Sequence, residues 1–346
     1  MQINNSSTNF KGLYDPNILI TGATGYIGSN LTGKLANAGY NCIICSRNSQ
    51  KTEYLKNVLR KINRNRIDKS LFSFINLDLT KPIQIKNFLR NNKPIDAIVH
   101  LGGLTSNAKS IENPRSNYDT NVAGSLNLFN SMLDCGINKV LFVSTGSTYG
   151  KINKTSKIKE TQLQKPETPY ARSKVMIEQI LRDYERYGLQ SMILRLFNVA
   201  GAQTNQDLGI GINVISVLMD RIKKDSIFTL MGNKYNTPDQ TCIKDFLHIS
   251  DTCNAITLAL GKLFETGKGD IYNLGSGVGT SLGTIVDKSQ KITHKNVKIR
   301  IIDNLETESP VLIVNNSKIK KDLKWQPQYD IDDILRSAWE WTVARK

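Results

Sequence analysis

Tyr170 and Lys174 stand four residues apart in the segment Tyr170-Ala171-Arg172-Ser173-Lys174. On a helix, positions i and i+4 share one face. An ammonium beside a phenol favours the phenolate and draws the tyrosine pKa down from about 10. A tyrosine so placed serves as a general base near neutral pH. The spacing alone is common; it gains meaning from what precedes it. The apolar run 140–144 ends in Ser144-Thr145, so a second hydroxyl stands at a strand end where it can bond the same substrate oxygen. Thr145, Tyr170 and Lys174 are therefore the candidate catalytic set.

A second constellation lies near the start of the chain. An apolar run, 17–21, leads into Thr21-Gly22-Ala23-Thr24-Gly25-Tyr26-Ile27-Gly28, and a helical pattern follows. Strand, glycine turn and helix together bring a helix N-terminus up to a pyrophosphate. Gly22 lets the chain turn sharply, Gly25 permits close approach of the backbone, and Gly28 lets helix and strand pack. The turn, with Tyr26 and Ile27 in it, predicts dinucleotide binding. The second strand ends Cys45-Ser46-Arg47, where many NAD enzymes carry an acid for the ribose hydroxyls. A guanidinium there pairs with a 2′-phosphate, which tilts the expectation from NAD to NADP. A plain surface arginine is the alternative. Asp78-Leu79 follows the third strand, within reach of an adenine. Leu101-Gly102-Gly103 follows the fourth, beside pyrophosphate and ribose.

These residues need a scaffold that lines up strand ends. Apolar runs at 17–21, 41–45, 72–77, 97–101, 140–144 and 191–196 alternate with helical patterns at 27–38, 52–62, 83–90, 115–134 and 170–187. Continuous apolar strands between helices predict an α/β fold with a doubly wound, Rossmann-like parallel sheet and a smaller C-terminal substrate domain. The expected divisions are a polar extension at 1–16, a dinucleotide-binding domain at 17–197 and a substrate domain at 198–346, interleaved with the first. The second half looks loop-rich at 201–209 and 232–240, is glycine-dense over 270–279, and closes with a helix at 331–343.

Composition narrows the partners. The 346 residues carry a net charge of +16, which suits either a polyanion site or a compositional bias. The densest stretch holds Lys56, Arg60, Lys61, Arg64, Arg66 and Lys69 and reads as a solvated helix face. No nucleic-acid motif accompanies it, and no apolar run approaches a membrane span. The first fifteen residues lack the apolar core of a secretory signal. Five cysteines without regular spacing predict a reducing, cytoplasmic setting. Cys42 and Cys45 lie inside an apolar run and read as strand residues. His100, His248 and His294 are not at metal-ligand spacing, so no metal is expected.

In order and spacing, these motifs resemble the extended short-chain dehydrogenases/reductases, most closely the UDP-glucose 4-epimerases. The landmarks are TGATGYIGSN (21–30), DTNVAGSLNL (119–128), STGSTYG (144–150), PYARSKVMIEQIL (169–181), LRLFNVAGA (194–202), TPDQTCIKDFLHISD (237–251), YNLGSGVG (272–279) and RSAWEW (336–341). The resemblance implies 4-epimerisation of a nucleotide sugar: Tyr170 takes the 4-hydroxyl proton, hydride passes to a bound nicotinamide and returns to the other face of a 4-keto sugar. It implies Asn121 and Phe197 in the cofactor pocket, and Asn198, Asn213, Val214 and Lys244 on the substrate, with a homodimer formed through the helices near 115–134 and 170–187. Lys244 stands where an arginine is expected, Leu305 and Glu308 replace a second arginine and its aspartate, and bulky Leu312 sits at the sugar's 2-substituent. The alternative reading is an NADPH-dependent reductase or dehydrogenase of a nucleotide keto-sugar.

Overall fold

The computed structural model describes residues 15–62, 72–92, 94–152, 156–203, 208–232, 234–303 and 309–345. The expected N-terminal extension lies outside them, apart from the residues next to the first strand. Most of the basic stretch beyond residue 62, and Leu305 and Glu308, also lie outside.

The first half alternates as its periodicity demands: β1 (Asn17–Thr21), α1 (Tyr26–Asn37), β2 (Asn41–Ser46), α2 (Ser49–Ile62), β3 (Phe72–Asn76), α3 (Pro82–Asn91), β4 (Ala97–His100), α4 (Asn107–Glu112), α5 (Pro114–Tyr118), α6 (Gly124–Asp134), β5 (Lys139–Thr145), α7 (Pro169–Tyr184) and β6 (Gln190–Leu196). The second half adds β7 (Asn198–Ala200), α8 (Val214–Lys223), β8 (Phe228–Met231), β9 (Ile243–His248), α9 (Ile249–Thr266), β10 (Asp270–Leu274), β11 (Gly279–Ser281), α10 (Leu282–Thr293), β12 (Ile299–Ile302), β13 (Val311–Leu312), α11 (Ser317–Leu323) and α12 (Ile331–Ala344).

Seven strands form one parallel sheet in the order β10-β6-β5-β4-β1-β2-β3. Successive side chains point to opposite faces, so Ile18 and Ile20 join the core beneath α1 and α9 while Leu19 joins the one beneath α3, α6 and α7. Cys42 and Cys45 likewise enter opposite cores, which rules them out as a redox pair; all five cysteines are free and buried. The strand order reverses between β1 and β4, and ligands of open α/β sheets bind beyond the strand C-termini at such a point. The glycine turn after β1, Gly102-Gly103 after β4 and Thr145 ending β5 all lie there.

The second half does not stay apart. α9 packs against α1, and β10 extends the large sheet beside β6. The glycine-dense segment thus begins with an edge strand. The remaining elements build a second layer, in which β7, β11 and β13 pair with β9 and β8 with β12, over a core of α8, α10 and α12. The single helix expected over 115–134 is interrupted by a π-helical stretch at Asp119–Ala123. Lys56 reaches over the Phe74 ring and pairs with Glu53, as a solvated helix face does. Among the described residues no helix is long and apolar enough to cross a membrane.

Candidate functional site

The crevice begins at α1. Gly25 is its N-cap, with extended backbone (φ −79°, ψ 174°), no side-chain cap and no acid in the first turn. The first N–H groups of a helix have no partner within it, so this end is left for an anion. Gly22 has φ +68°, and a Cβ there would stand 2.8 Å from the Gly102 nitrogen. A Cβ on Gly28 would meet the Gly22 oxygen at 2.4 Å, whereas one on Gly25 would meet only that oxygen, at 3.2 Å. The turn is therefore closed beneath and open above, as a pyrophosphate cradle requires.

Beside the turn runs a chain of buried polar groups. Thr21 Oγ1 accepts from the Gly102 nitrogen (3.1 Å) and hydrogen-bonds His100 Nδ1 at 2.7 Å, while His100 Nε2 bonds Ser125 Oγ at 2.9 Å. Burial, with Lys174's charge adding to it, holds His100 down to about 3, so the ring stays neutral between two hydroxyls. Ser125 donates in turn to the Asn121 carbonyl. Asn121 sits in the π-helical stretch, a local widening of the helix that often marks functional sites. Its Oδ1 accepts from the Leu104 nitrogen at 2.7 Å; its Nδ2 donates to the Leu104 oxygen (2.9 Å) and to Ser173 Oγ (3.1 Å). The amide thus fixes the loop after β4 to the helix that carries Tyr170. Leu79 packs against Gly102 and Gly124 at the same rim. Leu101 leans on the core below.

α7 presents two members of the candidate catalytic set, Tyr170 and Lys174. Thr168 caps it through the Ala171 nitrogen, Pro169 opens it, and Tyr170's nitrogen donates to Ser110 Oγ at 3.1 Å. Tyr170 and Lys174 are buried on one face, and Thr145's hydroxyl is the hydrogen-bond partner of the Tyr170 phenol. Burial pushes that phenol up to about 12, against the Thr145 bond. The expected lowering by Lys174 does not occur. Lys174 Nζ donates to the Val143 oxygen at 2.9 Å and lies 4.6 Å from the Phe142 ring centroid. Burial also brings Lys174 down to about 8, with Glu178 opposing.

Glu178 escaped the sequence reading. It lies one turn beyond Lys174, fully buried, accepting from Ser144 Oγ (2.5 Å), Gln164 Nε2 (3.0 Å) and Arg195 through Nε and Nη2 (3.1 and 2.6 Å). Arg195 continues to the Tyr149 hydroxyl at 2.8 Å, and that hydroxyl donates to Asn273 Oδ1 at 2.6 Å. The only sequence signal was a further x-x-x-E after the Y-x-x-x-K. Phe197 packs against Gly146 and tilts over Tyr149, next to this network.

The residues expected on substrate gather along β7 and β9. Asn198 Nδ2 donates to the Asp245 oxygen at 3.0 Å. Asn213 caps α8, with Val214 the first helical residue, and its Nδ2 reaches the Val199 oxygen at 3.1 Å. Lys244 is half-buried on β9, opposite Leu312 of β13. Its neighbour Asp245, also unforeseen, accepts from Ser276 N and Oγ (both 2.7 Å), Gly277 N (2.9 Å) and Val314 N (3.2 Å), clamping the glycine loop after β10.

At the far end of the turn, Ser46 Oγ bonds Thr24 Oγ1 at 3.1 Å, and half-exposed Arg47 lies 3.7 Å from Asp78. Burial works against the Asp78 carboxylate, but bonds from Thr80 and the Arg47 charge hold its pKa below the usual value. Among the described residues, no three His, Cys, Asp or Glu side chains gather as metal ligands.

Comparison with known proteins covers nearly the whole chain. Residues 18–275 match the model of the NAD dependent epimerase/dehydratase family. A UDP-glucose 4-epimerase of Rhizobium meliloti (strain 1021) is 34% identical over 337 residues, spanning 95% of this chain and 98% of that one. The crystal structure of UDP-glucose-4-epimerase from Stenotrophomonas maltophila, with bound NAD and formylated UDP-arabinopyranose, superposes with TM-score 0.87 at 27% identity, covering 95% of this chain and 98% of the other. The Brucella ovis UDP-glucose 4-epimerase in complex with NAD gives 0.82 at 28%, covering 94% and 97%.

Proposed function

The chain belongs to the NAD dependent epimerase/dehydratase family, and from that premise we propose that it is a nucleotide-sugar 4-epimerase acting on UDP-glucose and UDP-galactose. One observation carries the reading: near-full-length similarity to such epimerases coincides with Thr145, Tyr170 and Lys174 meeting at the C-terminal edge of the sheet.

The chain's own groups suit a dinucleotide. The uncapped start of α1, with Tyr26 and Ile27 in its first turn, takes the pyrophosphate, and Gly102 and Gly103, close against Thr21 and Asn121, lie beside it. Ser46 and Asp78 border the adenosine end. Arg47, which raised the expectation of NADP, is paired with Asp78, and the solved relatives carry NAD, so NAD is the proposed cofactor. When bound, the nicotinamide supplies the hydride acceptor and donor, and its ring charge in the oxidised form favours the neighbouring phenolate. Tyr170 Oη then takes the proton of the sugar 4-hydroxyl and later returns it, while Thr145 Oγ1 bonds the same oxygen. Lys174 keeps a positive charge near both. Asn198, Asn213, Val214 and Lys244 hold the nucleotide diphosphate.

Residues 17–197, joined by α9 and β10, form the dinucleotide half in this reading, and the rest of 198–346 the substrate half. A homodimer through α6 and α7 agrees with exposed Met176 and Tyr187 on α7 and its end. Five free thiols suit a reducing compartment. The test is incubation of the purified protein with UDP-glucose without added cofactor, with the products and the released dinucleotide both measured. Interconversion with UDP-galactose by protein carrying NAD is expected. Consumption of added NADPH without interconversion would overturn the reading in favour of a keto-sugar reductase.

A further inference from the structure

Tyr26 begins α1, so its backbone belongs to the cofactor turn, but its side chain leaves that turn. The hydroxyl donates to the Gly201 oxygen at 2.6 Å. Its ring lies flat against the second half of the same segment: a Cβ on Gly211 would stand 2.4 Å from Tyr26 Cδ1. One turn further along α1, Ser29 Oγ donates to the Leu208 oxygen at 2.8 Å. Residues 201–203 and 208–213 therefore lie strapped across the first two turns of the helix that faces the pyrophosphate. The strap's ends are fixed as well. Gly201 follows β7 directly, and Asn213 begins α8 with its amide on the Val199 oxygen.

Resting on the epimerase reading, we propose that Tyr26 is a positioning residue for the nucleotide diphosphate: through its hydroxyl and ring it sets the segment bearing Asn213 and Val214 from the helix that holds the cofactor. The physical ground is that the Tyr26 ring meets the strap at Gly211, two residues before Asn213, whereas the other described anchors, Leu208 in the core beneath α1 and Ile210 on that of α8, stand further back. Ala202 donates to Ser337 Oγ at 3.2 Å, and Ile212, next to Asn213, is almost wholly exposed. Losing the contacts to α1 leaves Asn213 held by the Val199 oxygen of β7 and by its capping bonds with Ser216. A hydroxyl that merely satisfied a half-buried donor would have no effect at Asn213, because Phe at this position fills the same space without an unpaired donor.

The experiment is calorimetric titration of UDP into the dinucleotide-loaded enzyme, wild type against Tyr26→Phe, with dinucleotide content and the kcat and KM for UDP-glucose measured on the same preparations. A neutral hydrogen bond is worth a few-fold to about tenfold in an equilibrium. The expected result is a rise of roughly three- to tenfold in the UDP Kd and in KM, larger than any fall in kcat, with dinucleotide content kept. Ser29→Ala, which removes the second strap bond, should shift the UDP Kd in the same direction and carries the test if Tyr26→Phe fails to fold. An unchanged UDP Kd in both variants overturns the proposal, as does a loss of dinucleotide that accounts for the weaker UDP binding. The outcomes separate from those of the functional reading. Wild-type protein that binds UDP without interconverting the two sugars defeats the epimerase and leaves the strap standing; normal interconversion with unshifted variants does the reverse.

Discussion

Two helices open onto the same crevice and are finished in opposite ways. α7 starts with a Thr168 cap, a proline and a bond from Tyr170's nitrogen to Ser110, so its end groups are satisfied within the protein. α1 starts at Gly25 with no side-chain cap and no acid in its first turn. In α7 the chemistry rests on side chains that project from a closed helix end. In α1 it rests on backbone that the sequence declines to cover. A helix terminus is thus informative both when it is capped and when it is left bare, and the bare one is where an anion is wanted.

The contrast can be broken at either end. The largest effect is expected from Tyr170→Phe, which keeps the helix and removes the acid–base group. kcat should fall by about 10²–10⁴-fold while dinucleotide and UDP stay bound, read by steady-state kinetics and calorimetry. Glu178→Gln tests the support beneath α7. It leaves Arg195 buried without its anion, and unfolding in urea should show a loss of about 3–5 kcal/mol. Gly25→Asp would give α1 the cap it lacks. A carboxylate there competes with and repels a phosphate, so released dinucleotide should drop about tenfold or more while the melting temperature of the dinucleotide-free protein stays level or rises. The smallest change is Thr168→Ala, which uncaps α7. It should cost about 0.5–2 kcal/mol without altering dinucleotide content; equal loss of dinucleotide from both cap variants would erase the contrast.

The same contrast explains what could be read in advance. The glycine turn, the sheet strands and the Tyr170–Lys174 face rest on short-range spacing, and each appears in the structure where the spacing put it. The partners of those residues do not. Glu178 and Arg195 come together only because β6 lies under α7, and Asp245 meets Ser276 and Val314 only once β9, β10 and β13 are assembled. β10 was not among the strands expected, because five residues followed by Gly275, Gly277 and Gly279 give no strand–helix alternation to place them, and the pairing shows only beside β6. Asn121 was found without its bonding partners. Its place in the motif was visible, whereas its three bonds to Leu104 and Ser173 depend on a local change of helix type. The lowered phenol pKa failed for a related reason, since spacing put Lys174 on the face of Tyr170 but did not reveal how deeply the phenol is buried, which pushes it up.

That change of helix type also makes the chain length here uneditable. A π-helical stretch accommodates one residue more than the same rise of α-helix holds, and each residue of an α-helix turns the chain by about 100°. Deleting one residue between Asp119 and Ala123 would restore an ordinary helix, with α5 and α6 still in phase but the bulge gone. Asn121 would no longer meet both Leu104 and Ser173, and the loop after β4 would lose the amide that pins it. The extra residue works as slack in the helix: the flanking turns keep their packing, α5 on α7 included, while the bulged backbone turns one amide towards the loop after β4.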